Sequence, residues 1–249
     1  MSGIWGALEH RLIDTHCHLL DYQSPDFISK LAQTNITIHA VTTTLTEYKK
    51  LCPLVKKYPN ILPSMGLFPL KVKDETHSLE EFLSTIKDTQ LIGEVGLDYT
   101  SSNEDQQLQK NVLKQIIAEC QRVKGRILSL HSRRSAEDVL RIIGDDFHGT
   151  AIMHWYSGPI ELIKATPKNI FFSINAAMLK SRNGKQILNA LQPSQILTET
   201  DGPYVKVHDR PSEPSDIKIV IQSLSQKWGV SIEAVLSIID ENYRRAMNR

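Results

Sequence analysis

The sequence predicts an α/β chain closed into a TIM-type (β/α)8 barrel, built as one domain over residues 1–249. Three observations predict it. Short apolar or β-branched runs alternate with longer amphipathic ones about eight times, and alternating βα units form a parallel sheet. The length of 249 residues suits eight such units closed into a barrel. Side chains able to bind a metal follow five of the short runs, at the strand ends where barrel enzymes keep their chemistry. The alternative is a doubly wound open sheet. Neither GxGxxG nor GxxxxGK follows the first run, which disfavours the nucleotide-binding version of that fold.

Each element has its own signal. Residues 12–14 form the first strand. Residues 25–32 read as a helix, with Ser24 as N-cap and Pro25 at the first position, where its missing N–H is not needed. The β-branched run 36–42 is the second strand, 47–57 a helix and 61–66 the third strand. A helix at 79–87 precedes a strand at 91–95. The longest helix is expected at 104–123, where Leu108, Val112, Ile116 and Cys120 make an i, i+4 stripe. Residues 126–130 form a strand and 136–143 a helix. Strands at 151–154, 170–174 and 196–200 are separated by helices at 159–165 and 184–191. Helices at 217–228 and 231–247 close the chain. The stretch 203–214 is the most loop-like.

Composition bounds the function. Lys plus Arg number 29 and Asp plus Glu 28, a net charge of +1. Proteins that coat nucleic acid by bulk electrostatics are strongly basic, so that class is disfavoured. An enzyme that meets phosphate locally, through metals, is not. Cys17, Cys52 and Cys120 are an odd count without CxxC spacing, which points to the reducing cytoplasm and to small buried hydrophobes. The first residues are interrupted by Glu9, His10 and Arg11 before an export signal could develop. No run approaches the roughly 20 apolar residues of a membrane span.

Six side chains carry the chemistry. His16 and His18 follow the first strand, His131 the fifth and Asp201 the eighth, while Glu94 and His154 lie at the C-terminal ends of the fourth and sixth. Residues two apart in extended chain project to one side, so His16 and His18 converge while Cys17 turns away. Imidazole and carboxylate suit Zn²⁺, Mn²⁺ or a similar ion. Six donors exceed one tetrahedral site but suit two divalent ions that share a carboxylate, an arrangement that clamps a phosphoryl or carbonyl group and activates water near neutral pH. A single His at a strand end is ordinarily a hydrogen-bonded rim residue, and a single carboxylate there a helix cap. Their coincidence at five strand ends carries the reading.

The segments IDTHCHL (13–19), GEVGLD (93–98), LHSR (130–133), HWYSG (154–158) and ETDGPY (199–204) resemble, in order, those of the TatD family of amidohydrolase-like, metal-dependent hydrolases. The resemblance implies two divalent metals (Zn, Mn or Mg) and deoxyribonuclease activity, often exonucleolytic. It implies that His16 and His18 hold one metal, that Glu94 bridges, and that His131 and His154 hold the second. Asp201 would sit by the first metal and orient or deprotonate the attacking water. Catalysis would thus rest on Asp201 and Glu94. LSLHSRRSAEDVL, HWYSG and ENYRR further resemble the TatD-like nuclease of Qat-type anti-phage defence, implying DNA as substrate and other Qat-type proteins as partners. One position departs. The family's Gly-x-His-Pro reads Gly66-Leu67-Phe68-Pro69 here. Phe68 cannot donate a hydrogen bond, but it could stack on a base or pack the loop.

Further candidates surround this set. Arg133, and more weakly Arg134, could grip a phosphate or pair with Glu137 or Asp138. Trp155 and Tyr156 could stack on a base or fill the barrel rim. Lys180 and Arg182 follow the seventh strand, a usual phosphate region of such barrels, or form a solvated loop. Asp14 and Glu199 share the parity of the metal-type residues. They could accept hydrogen bonds behind them or be structural carboxylates. Asp98 reads as a loop cap and His39 as a satisfied core histidine. Two readings compete with a deoxyribonuclease: a metal-dependent hydrolase of a small amide or ester, and a metal-stabilised scaffold subunit of a defence complex.

Overall fold

The computed structural model describes residues 11–24 and 26–248. The N-terminal reading at Glu9 and His10, and Pro25 as a first helical residue, fall outside the described residues. Eight parallel strands form the ring: β1 (Leu12–Cys17), β2 (Ile36–Val41), β3 (Ile61–Ser64), β4 (Leu91–Asp98), β5 (Ile127–Arg133), β6 (Thr150–His154), β7 (Ile170–Ile174) and β8 (Ile196–Thr198). Regular ladders join β1 to β3 and β4 to β8 in chain order. Single bridges close the two seams, Met65 with Ile92 and Cys17 with Gly202. At the first seam Gly93 N–H donates to Met65 O at 2.8 Å; at the second Asp201 N–H donates to His16 O at 2.9 Å. Thr15 and Thr198 add side-chain bonds across the β8–β1 seam, to Thr198 O and Ile13 O. The barrel expectation thus holds.

The helices are α1 (Phe27–Leu31), α2 (Leu45–Val55), α3 (Leu79–Thr85), α4 (Asn103–Val123), α5 (Ala136–Ile143), α6 (Ile160–Lys164), α7 (Ala176–Lys180), α8 (Arg182–Ala190), α9 (Ile217–Trp228) and α10 (Ile232–Ala246). In α4 the stripe Val112, Ile116 and Cys120 is buried together with Leu113 and Ile117, while Leu108 is only partly covered. Such one-sided burial is what anchors a helix to a sheet. The main core fills the layer between strands and helices with Ile, Leu, Val, Phe and Met side chains.

Several bounds differ from expectation for physical reasons. β1 and β5 run on to Cys17 and Arg133, so His16 and His131 lie inside strands rather than after them, and β4 runs on to Asp98. Ladder hydrogen bonds to neighbouring strands extend these segments where the apolar pattern has already given way to chemistry. Helix α2 begins two positions early because Thr44 Oγ1 accepts from Glu47 N–H at 3.1 Å and caps it. The five-residue α7 was not foreseen. Asn175 starts it, its Oδ1 accepting from Ala177 and Met178 N–H, both at 3.1 Å. The stretch 203–214 contains a small hairpin, β9 (Lys206–Val207) with β10 (Arg210–Pro211).

Two glycines permit close approaches at the site. A Cβ on Gly66 would lie 1.6 Å from Thr42 O, and one on Gly96 would lie 2.1 Å from His131 O. Without them β4 could not come close enough to seat Glu94 beside His131. His39 is buried on β2 with Nε2 2.9 Å from Tyr243 Oη, as a core histidine should be. Among the described residues no helix is long and apolar enough to cross a membrane. Cys17 and Cys120 are buried and Cys52 is half-buried; all three are free.

Candidate metal centre

Four donor atoms meet at the C-terminal mouth between β1, β4 and the turn after β8. His16 Nε2 lies 3.2 Å from His18 Nε2. Glu94 Oε2 is 3.7 Å from the former and 3.5 Å from the latter. Asp201 Oδ1 is likewise 3.7 Å and 3.5 Å from them. Donors placed tetrahedrally about 2.0–2.1 Å from a zinc-sized ion are roughly 3.3 Å apart. The spacings among His16, His18 and Glu94 therefore fit one ion, with Asp201 Oδ1 beside both imidazoles.

The other oxygen of Glu94 faces a second group. Oε1 lies 2.7 Å from His131 Nδ1 and 3.3 Å from His154 Nε2. Glu94 thus presents one oxygen to each group, the geometry a bridging carboxylate needs. Three donors leave positions open for water or substrate. The His16 and His154 rings stack at 3.7 Å, which brings the two groups together.

The outward nitrogens of three imidazoles are held from behind. His16 Nδ1 is 2.7 Å from Ser129 Oγ. His131 Nε2 is 2.9 Å from Asp98 Oδ2. His154 Nδ1 is 3.3 Å from Glu199 Oε2. Such partners fix ring orientation and tautomer and leave the opposite nitrogen to ligate. Glu199 is itself locked by Asn175 Nδ2 at 2.8 Å, Trp155 N–H at 3.0 Å and the Ser173 hydroxyl.

Electrostatics suits a cation here. Burial, and then the neighbouring His154, hold His16 well below the usual imidazole pKa, so it stays neutral and able to ligate. Burial opposes charge on Glu94, but hydrogen bonds from His131 and His154 outweigh it and keep the carboxyl well below its usual range. Burial also opposes protonation of His18 and His154. The carboxylates beside them, Asp201 and Glu94 for the first and Glu199 and Glu94 for the second, raise both.

The supporting candidates separate in the structure. Glu199 is the hydrogen-bond partner expected behind a donor imidazole. Asp14 corrects its expectation, for it contacts no imidazole. It accepts from Thr200 N–H at 2.9 Å, from the Thr200 hydroxyl and from His16 N–H at 3.2 Å, pinning β1 to the turn that carries Asp201. Burial pushes its pKa up to about 8 against those bonds. Tyr156 corrects too. It is buried edge-on against Phe172, with Oη donating to Pro159 O at 2.7 Å, because its ring completes the core under the loop after β6. It does not line the cleft.

That cleft, of about 570 Å³, has His18, Glu94, His131, His154 and Asp201 in its wall. Phe68, Arg133 and Trp155 line its rim. Phe68 stands edge-on to His131 with centroids 5.1 Å apart. Arg133 is exposed and makes no ion pair among the described residues. Glu137 pairs with Arg141, and Asp138 with Arg141 and Lys110. Trp155 (φ 38°) and Asp201 (φ 48°) sit in the left-handed region, a strained backbone that is often found at functional sites.

Sequence reasoning missed several rim and supporting residues. Asp98 caps its loop through Thr100 N–H at 2.9 Å, yet also holds His131. Ser129 lies two residues before His131, so strand parity alone could have aimed it inward. Tyr204 is exposed, bonded to Asp21 Oδ2 at 2.7 Å and edge-on to His18. Lys71 enters the cleft held by Thr43 Oγ1 at 2.6 Å and Glu47 Oε1 at 3.2 Å. Nothing local in the sequence marks that trio.

Comparison with known proteins agrees with this geometry. The family described as TatD related DNase matches residues 13–248. A Buchnera aphidicola protein named as an uncharacterized metal-dependent hydrolase is 26% identical, the match covering 95% of this chain and 99% of that one. The human protein named Deoxyribonuclease TATDN3 is also 26% identical, with 93% and 92% covered. Among solved structures, the TatD homolog YJJV of Escherichia coli superposes with a TM-score of 0.83 at 20% identity, covering 96% of this chain and 98% of that chain. A TatD family hydrolase of Entamoeba histolytica gives 0.79 at 18% identity, covering 95% and 98%. These structures establish the shared barrel fold. The chain belongs to the TatD-related DNase family of metal-dependent hydrolases.

Proposed function

We propose that the chain is a two-metal deoxyribonuclease that hydrolyses phosphodiester bonds. The observation that carries this reading is Glu94, with one oxygen facing His16 and His18 and the other facing His131 and His154. In it, His16, His18, Glu94 and Asp201 hold one divalent ion, and Glu94, His131 and His154 hold the second. When bound, the ions supply Lewis acidity to a phosphoryl oxygen and lower the pKa of water. The Asp201 carboxylate oxygen that does not face the imidazoles would accept the proton of the attacking water. Arg133 binds a phosphate oxygen, and Phe68 and Trp155 offer apolar faces to a base. Ser129, Asp98 and Glu199 keep the imidazoles aimed. Relatives named as deoxyribonucleases support DNA as substrate. The narrower sequence likeness extends the proposal to an exonuclease of cytoplasmic anti-phage defence, acting with Qat-type partner proteins.

The test is digestion of 5′- and 3′-labelled DNA by metal-loaded protein, beside Asp201→Asn and a panel of amide and ester substrates. The proposal expects DNA cleavage that EDTA abolishes and that Asp201→Asn slows by about 10²-fold or more. Turnover of an amide or ester with no cleavage of single- or double-stranded DNA in Mg²⁺, Mn²⁺ or Zn²⁺ would overturn it.

A further inference from the structure

The barrel mouth is unevenly charged. Arg133 and Arg134 stand where β5 ends, Trp155 follows β6, and Lys180 and Arg182 flank the turn between α7 and α8 after β7. Strands β5, β6 and β7 are neighbours in the ring, so these five residues lie along one arc. All five are exposed. None of the four cations has a carboxylate partner among the described residues. The arc is continuous with the cleft, because Asn183 Nδ2 donates to Ser157 O at 3.1 Å, and Ser157 lines the cleft with Arg133 and Trp155. Across the mouth the loops after β1 and β8 expose both signs, Asp21, Asp26, Asp209 and Glu213 beside Lys206 and Arg210, the last paired with Asp216.

An exposed cation by itself is ordinarily only solvated. Four unpaired cations on one side of one mouth, in a chain of net charge +1, are a local field. The exposed Trp155 ring interrupts them with a flat apolar face. Cations that track a backbone, interleaved with a ring that stacks on bases, are how proteins hold single-stranded nucleic acid without reading its sequence.

We propose that this arc is a backbone-binding groove: the nucleic acid strand leaves the metal centre over the β5–β7 side, where the exposed cations stand without carboxylate partners. The inference rests on the deoxyribonuclease reading and adds the direction of the substrate. Arg133 grips near the centre, while Arg134, Lys180 and Arg182 hold phosphates farther out.

The test uses the metal-loaded full chain with Lys180→Gln and Arg182→Gln combined, on a single-stranded oligonucleotide and on bis-p-nitrophenyl phosphate, across a salt series. The control pair is Lys164→Gln with Lys168→Gln, exposed cations beside the N-terminal end of β7. At about 0.7 per phosphate contact on a single strand, the slope of log kcat/KM against log salt should become shallower by about 1.4. Turnover of the small diester, and both activities of the control pair, should stay unchanged. An unaltered slope on the oligonucleotide, or an equal loss on the small diester or in the control pair, overturns the groove. If the wild type cuts no DNA, the deoxyribonuclease reading fails by itself. Fluorescence anisotropy with the same oligonucleotide then decides the groove: weaker binding by the double variant sustains it, and equal binding overturns it.

Discussion

His16, His131 and His154 each turn one ring nitrogen to the centre and rest the other on Ser129, Asp98 or Glu199. That division of labour makes Glu199 the most informative residue outside the donor set. It faces His154 and also fixes Trp155, Ser173 and Asn175. Glu199→Gln is expected to weaken divalent-ion binding by about 10–100-fold while the far-ultraviolet circular dichroism stays the same. Titration against a metal-sensitive dye checks it, and unchanged affinity would remove Glu199 from the positioning role. The donors themselves were legible because HxH parity and strand-end carboxylates are local patterns. Asp14 and Glu199 looked alike in sequence, and only the three-dimensional neighbours separate them. Asp14 meets the Thr200 backbone, whereas Glu199 meets an imidazole.

At the scale of elements, the centre depends on how closely β3, β4 and β5 approach. Gly96 pairs with His131 across the β4–β5 ladder, and any side chain there would collide with the His131 carbonyl. Gly96→Ala should therefore destabilise the fold by more than about 1 kcal/mol and lower metal content as well, because relief of the clash displaces His131. Urea unfolding and metal analysis check both, and a variant with wild-type stability would contradict the packing argument. The strand order was legible in the alternation of apolar runs. The far ends of β1, β4 and β5 were not, since Thr15 to Cys17, Gly96 to Asp98 and Ser132 to Arg133 lack the apolar run that marks a strand. Their pairing is tertiary. The short α7 and the β9–β10 hairpin escaped for the same reason. Their small core of Ala176, Val205 and Val207 joins residues about thirty positions apart in sequence.

For the whole molecule, the ring must close before the centre exists. The donors run from His16 on β1 to Asp201 beyond β8, and the seam that joins them is made by Cys17 and Gly202, by Asp201 N–H on His16 O, and by Asp14 on Thr200. The near-zero net charge is consistent with the proposed reading, in which the positive charge that meets phosphate would be local, in bound ions and in one arc of the rim. The central claim is that this closed mouth holds two divalent ions that share Glu94. Equilibrium dialysis of the purified chain against Zn²⁺ or Mn²⁺, beside Glu94→Gln, measures it most directly. Two ions are expected per wild-type chain and at most one in Glu94→Gln, with the barrel still folded. A wild type that retains no divalent ion, or a Glu94→Gln variant that keeps the full complement, would contradict it.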